Sequence, residues 1–185
     1  MSVAAVMPRS EALLTAMRAE FPRFLIRPKQ GSAFQRAMDV ALRVVTFNRM
    51  TTYLSQYHTV LFGTLWVPAS WDAMGDLDRY VLLRHERVHL RQRRRMGDVA
   101  MTFVYLIPFF PVGLAWGRAR IEWEAYEETI AATLEVYGLA AARALKPAIV
   151  ARFVGPDYGW MWPFPAAVGG WFDAALARLS ARDGG

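Results

Sequence analysis

Residues 76–97 read DLDRYVLLRHERVHLRQRRRMG, and the fold and chemistry of the chain turn on this stretch. Asp76 or Asp78 can cap a helix N-terminus and Gly97 can end it, so the spacing predicts a single helix across the segment. On that helix His85 and His89 lie four positions apart, about 40° around the axis, so both imidazoles can reach one ion. Val81, Val88, Gln92 and Met96 share their face, while Arg84, Arg87, Arg91 and Arg94 fall on the opposite one. The histidines therefore point inward, where an unpaired imidazole is costly. Glu86, about 100° from His85, is placed to approach a water on the ion rather than the ion itself. Zinc brings the pKa of such a water to roughly 7, and Glu86 is then the expected catalytic base.

The chain has no cysteine, so any metal must be held by nitrogen and oxygen, and disulfide frameworks and thiolate clusters are excluded. It has three histidines, and none follows His89. The remaining one, His58, lies upstream in a predicted strand, which makes a downstream carboxylate the better third ligand. The segment 118–138, RARIEWEAYEETIAATLEVYG, offers five glutamates. With Glu122 at zero, Tyr126, Thr129, Thr133 and Val136 share its side of a helix, whereas Glu124, Glu127, Glu128 and Glu135 gather on the other. Those four are expected to form a hydrated face. Glu122 faces the apolar layer that packs on the motif helix, and a buried carboxylate needs a partner, either an arginine or a metal ion.

These residues resemble the gluzincin metallopeptidases, in which an HExxH helix is joined by a glutamate from a later helix. Glu122-Trp123-Glu124-Ala125-Tyr126 is similar to the E-x-x-A-D pattern of the CAAX-prenyl endopeptidase group and of the small minigluzincins. The resemblance covers roughly residues 59–137 and implies Glu122 as the third ligand, Zn2+ as the cofactor, and a peptide or protein substrate. It also implies a strand beside the cleft against which an extended peptide lies, a role that residues 58–67 suit. Tyr126 stands where the pattern has an aspartate that supports a histidine ligand, so that support must come from elsewhere. Tyr57, Tyr126 and Tyr158 are alternatives for polarising a carbonyl oxygen.

Working outward, 185 residues with 55% hydrophobic content suit one domain with a real core. Residues 1–50 are expected to supply two helices (10–20 and 33–47), 51–137 the catalytic core, and 138–185 a helical and aromatic extension. Residues 57–67 are rich in β-branched and aromatic side chains and stop at Pro68, which predicts a strand, with a neighbour at 51–54. A long helix is expected from about Ala119 to Tyr137, closed by Gly138, then a short one over 139–146. An aromatic loop, GPDYGWMWPFPAAVGG, should precede a final helix over 171–182. The expected class is α+β: zincin-like, mostly helical, with a small mixed or antiparallel sheet.

The net charge of +6 could favour acidic partners through the arginine face of the motif helix, although a solvated face explains it as well. Pro8, Arg9 and Glu11 interrupt the apolar run that a secretory signal needs, so a cytoplasmic protein is expected. Residues 99–117 are uncharged for 19 positions, but Pro108 and Pro111 interrupt them. A buried helix followed by an apolar loop is favoured there over membrane contact. The rival to a peptidase is a catalytically silent zincin-fold protein that docks on a membrane or in a larger assembly.

Overall fold

A computed structural model describes residues 7–45, 48, 51–106, 115–155 and 160–183. The motif helix, α4, runs Asp76–Met96, and the helix bearing Glu122, α6, runs Trp116–Ala144. Their mutual packing forms the spine of the molecule. Before them come α1 (Arg9–Glu20), β1 (Leu25–Pro28), α2 (Ala33–Val45), α3 (Tyr53–Gln56), β2 (Thr59–Leu61), β3 (Thr64–Val67) and a 3₁₀ turn at Ala69–Trp71. The remaining helices are α5 (Asp98–Leu106), α7 (Lys146–Val154) and α8 (Pro165–Asp183). The class is α+β, mostly helical with a small mixed sheet.

That sheet has the order β1-β3-β2, with β1 parallel to β3 and β2 antiparallel to it. The single strand expected over 57–67 is thus a hairpin, whose first arm is an edge and whose second is central. Phe62 and Gly63 make the turn with φ of 48° and 77°, the left-handed pair that a two-residue hairpin requires. Arg93 lies over the Phe62 ring at 5.6 Å, which helps to hold a residue that rarely adopts this conformation. The neighbour expected at 51–54 is not a strand, because Tyr53–Gln56 is a short helix. The actual second neighbour, β1, comes from the Pro and Gly punctuated gap between α1 and α2.

Two apolar clusters flank the spine. One joins Leu13 and Met17 of α1, Phe24, Leu65 and Val67 of the sheet region, and Leu83 and Leu90 of α4. The other gathers Trp123, Tyr126 and Ile130 of α6 with Ile149 and Phe153 of α7 and Phe172 of α8. Each such side chain contributes about 1.5–3 kcal/mol when fully buried. Gly97, at φ 80°, ends α4 as its position suggests. Gly138, also at φ 80°, interrupts α6, and helix resumes as far as Ala144 before α7 opens with Pro147 in its first turn. The short helix expected over 139–146 therefore straddles a boundary. The last helix begins six residues early, at Pro165, so the stretch from Ala166 to Gly170 is helical rather than loop.

Asp76 is not the N-cap of α4, a position held by Gly75. Its carboxylate instead accepts from the backbone N–H groups of Arg9 and Ser10, each at 3.0 Å, and so caps α1 across the molecule. Residues 99–106 form a helix with Met101 buried, as expected, but Val99 and Phe103 remain 71% and 59% exposed, so its outer face is uncovered. Residues 107–114 lie outside the described residues. Among the described residues no helix is long and apolar enough to cross a membrane.

The arginine face of α4 is not simply solvated. Arg87, Arg91 and Arg94 converge on Glu20 at the end of α1, with Arg87 Nε donating at 2.7 Å and Arg91 Nε at 2.8 Å. Arg84 pairs with Glu128 and Glu135 of α6. The glutamates expected to form a hydrated face are likewise engaged in holding helices together. Hydrogen bonding from Arg91, assisted by Arg87 and opposed by partial burial, holds the Glu20 carboxyl down at about 2. A depressed carboxylate stabilises the fold above its ordinary value of 4.5, and that contribution disappears as pH falls towards 2. Glu20→Gln should accordingly cost about 1 kcal/mol in urea unfolding near neutrality. The gap from the unsubstituted protein should close between pH 4.5 and 2, and a gap independent of pH would show that Glu20 is not clamped as an anion.

Candidate metal centre

Helix periodicity carries three donors into one place. His85 and His89 project from α4 and Glu122 from α6, and one ligand atom from each falls within 4.8 Å of the others. The two Nε2 atoms are 3.2 Å apart, and Glu122 Oε2 is 3.8 Å from His89 Nε2 and 4.0 Å from His85 Nε2. Glu122 is 2% exposed and His89 8% exposed, so the trio lies under the surface at the α4–α6 junction.

The hydrogen bonds on the far side of each ring fix the tautomers. Gln92 Nε2 donates to the Ile121 carbonyl at 3.0 Å and to Glu124 Oε2 at 2.9 Å, which turns its Oε1 towards His89 Nδ1 at 2.9 Å. That oxygen can only accept, so His89 Nδ1 carries the proton. Thr129 Oγ1 donates to the Ala125 carbonyl at 3.1 Å and therefore accepts from His85 Nδ1 at 2.9 Å. Both Nε2 atoms consequently present lone pairs to each other. Burial, followed by the proximity of His89, pushes His85 well below the ordinary imidazole range, so its Nε2 keeps a lone pair for a cation. Tetrahedral zinc bound at about 2.0–2.1 Å needs its nitrogen ligands about 3.3 Å apart, close to the spacing present here.

No known protein family matches the chain, nor does any curated protein or solved structure. The site has to be read from its own chemistry.

Glu86, one residue past His85, is 5% exposed. Burial raises its carboxyl to about 7, the charge of His89 opposes the rise, Glu122 adds to it, and Lys29 opposes it. Lys29 is 1% exposed at the end of β1 and donates to the Tyr53 carbonyl at 3.0 Å and to Thr59 Oγ1 at 2.9 Å. Its ammonium thereby fastens the first residue of β2 and sits 3.5 Å from the centre of the Tyr53 ring. Burial brings it down to about 8. Lys29 has no sequence signal, because it lies in a short turn with neither helical nor strand periodicity.

Tyr126 packs its ring edge-on to His85, with centroids 5.0 Å apart, and its hydroxyl accepts from Arg152 of α7 at 3.4 Å. Tyr57 stands at the C-cap of α3, and Tyr158 lies outside the described residues. His58 is not among the clustered donors; it packs edge-on to Trp71 at 5.8 Å, and its Nε2 is buried without a partner. Burial, then the charges of Lys29 and Arg152, lowers it to about 4. The support that an aspartate at position 126 would give is supplied by Thr129 and Gln92. Both were visible on the correct helix faces, but not as ring supports. Because partners of this kind typically affect affinity 10–100-fold, zinc held at this trio should be weakened by about that factor in Gln92→Met and in Thr129→Val, read in competition with a chromophoric chelator. Unchanged affinity in both would mean that these hydrogen bonds do not orient the ligands.

Proposed function

We propose that the protein is a zinc-dependent metallopeptidase with a zincin-like fold, in which His85, His89 and Glu122 hold the metal and Glu86 is the catalytic base. The observation that carries this reading is the pair of facing Nε2 lone pairs beside a buried carboxylate, with a second buried carboxylate on the next residue of the same helix. A purely structural ion needs ligands alone and has no use for that second acid. Zinc at such a trio supplies Lewis acidity, which acidifies water and polarises a carbonyl group.

The chain's own residues supply the rest. Glu86 has a carboxyl near 7, suited to accepting a proton from water and returning it to a departing amine at neutral pH. A bound cation brings that value down and favours the base form. Glu122, itself buried, offsets cationic charge, and Gln92 and Thr129 keep the imidazoles in the metal-binding tautomer. The strand β2 (Thr59–Leu61) contacts α4 and is an edge of the sheet among the described residues, which supports addition of an extended peptide there. Lys29 secures that strand to the body of the fold.

Glu86→Gln separates an enzyme from a silent metal-binding protein. Zinc content should stay at one per chain in either case. Hydrolysis of fluorescent casein and of a degenerate internally quenched peptide library should fall about 10²–10⁴-fold if Glu86 is the base. Wild-type protein with full zinc and no cleavage of any library member would favour the silent reading. Equal turnover in wild type and variant would remove Glu86 from the chemistry.

A further inference from the structure

On another face of α6, about 120° around the axis from Glu122, Trp116, Arg120, Trp123 and Glu127 form a stripe at helical spacing. With Trp171 and Gly170 of α8, this stripe lines an open cavity of about 320 Å³, at the small end of the range for small-molecule sites. Trp171 lies 5.9 Å from Trp116 and 5.5 Å from Trp123, so the three indoles pack on one another and form an aromatic wall of the space. Glu127 accepts the Trp123 indole N–H at 2.9 Å and Arg178 at 2.7 Å. That arrangement satisfies the only polar side-chain atom of Trp123, which is buried and backs the Trp171 ring, and it neutralises Arg178. No carboxylate among the described residues pairs with Arg120, an exposed residue that lines the same cavity.

Gly170 supplies the second observation. A glycine inside a helix is less favourable than alanine, and packing forces neither glycine of the pair, since even at Gly169 a Cβ would make only ordinary contact with the Lys146 side chain at 3.5 Å. A Cβ at Gly170 would meet nothing within 4 Å, and its φ does not demand glycine. What its missing side chain does is leave one wall of the cavity open.

We infer that this cavity binds a planar aromatic molecule carrying one oxyanion, such as an aryl carboxylate. The ring lies against the indoles of Trp116 and Trp171, which Trp123 backs, and the anion meets Arg120. This site uses none of the metal ligands and does not depend on the peptidase reading.

The test is calorimetric titration of the zinc-loaded full chain with 2-naphthoate, alongside neutral 2-naphthylmethanol and non-aromatic cyclohexanecarboxylate. Only 2-naphthoate should bind well, with both comparison compounds about tenfold or more weaker. Arg120→Ala should weaken 2-naphthoate by about tenfold or more, the loss expected for a charge-assisted contact. Gly170→Leu has open space to enter and should raise the melting temperature while abolishing binding. Zinc content should be unchanged in both variants. The inference fails if 2-naphthoate does not bind the wild type, if 2-naphthylmethanol binds equally well, or if both variants bind it with wild-type affinity.

Discussion

His85 and His89 bring two imidazole lone pairs to 3.2 Å of each other inside the α4–α6 junction, and much of the surrounding structure holds that unfavourable approach in place. Each ring is fixed from behind by one acceptor, Thr129 from α6 and Gln92 from α4 itself. Gln92 in turn is anchored on α6 through Ile121 and Glu124. The bonds that set the tautomers are therefore the same bonds that fix the two helices in register. Separating the helices would both disperse the three donors and lose the protonation pattern that leaves the imidazole lone pairs facing inward. A cation held by the two rings and Glu122 would replace this local repulsion with a link between α4 and α6, which is the basis of the proposed zinc site.

The charged residues around the spine serve the same geometry. Glu20 gathers three arginines of α4 from the outside, Arg84 ties α4 to Glu128 and Glu135 of α6, and Asp76 caps α1 from the start of α4. Most of what looks in the sequence like a basic face and an acidic face is a set of contacts between helices. Their net worth depends on partial burial and on several charges acting together, since isolated exposed pairs contribute little. The aromatic residues form a separate system. Tyr126 and Trp123 both pack on Phe153, so α6 presents Glu122 to α4 and rings to α7 and α8.

The parts legible from the sequence are those that depend on helical period alone. The interval from His85 to His89 and the isolation of Glu122 from its four neighbouring glutamates translate directly into helix faces, so the trio was readable. Parts that depend on distant partners were not. Asp76 resembles a cap for its own helix but caps another. Leu25–Pro28 is too short and too irregular in pattern to announce a strand until β3 lies beside it. The hairpin at Phe62-Gly63 lacks the asparagine or aspartate that usually marks such a turn, and two adjacent glycines disguised the first turns of α8. Lys29 was invisible because its role is set entirely by what folds over it.

The central claim, that the two imidazoles and Glu122 share one zinc ion, is tested most directly by X-ray absorption at the zinc edge of the loaded protein. The account predicts one zinc per chain, with two imidazole nitrogens at about 2.0–2.1 Å, oxygen neighbours at about 2.0–2.2 Å, and total coordination of four or five. A shell of six oxygens without imidazole scattering, or a protein that holds no stoichiometric zinc, would contradict it.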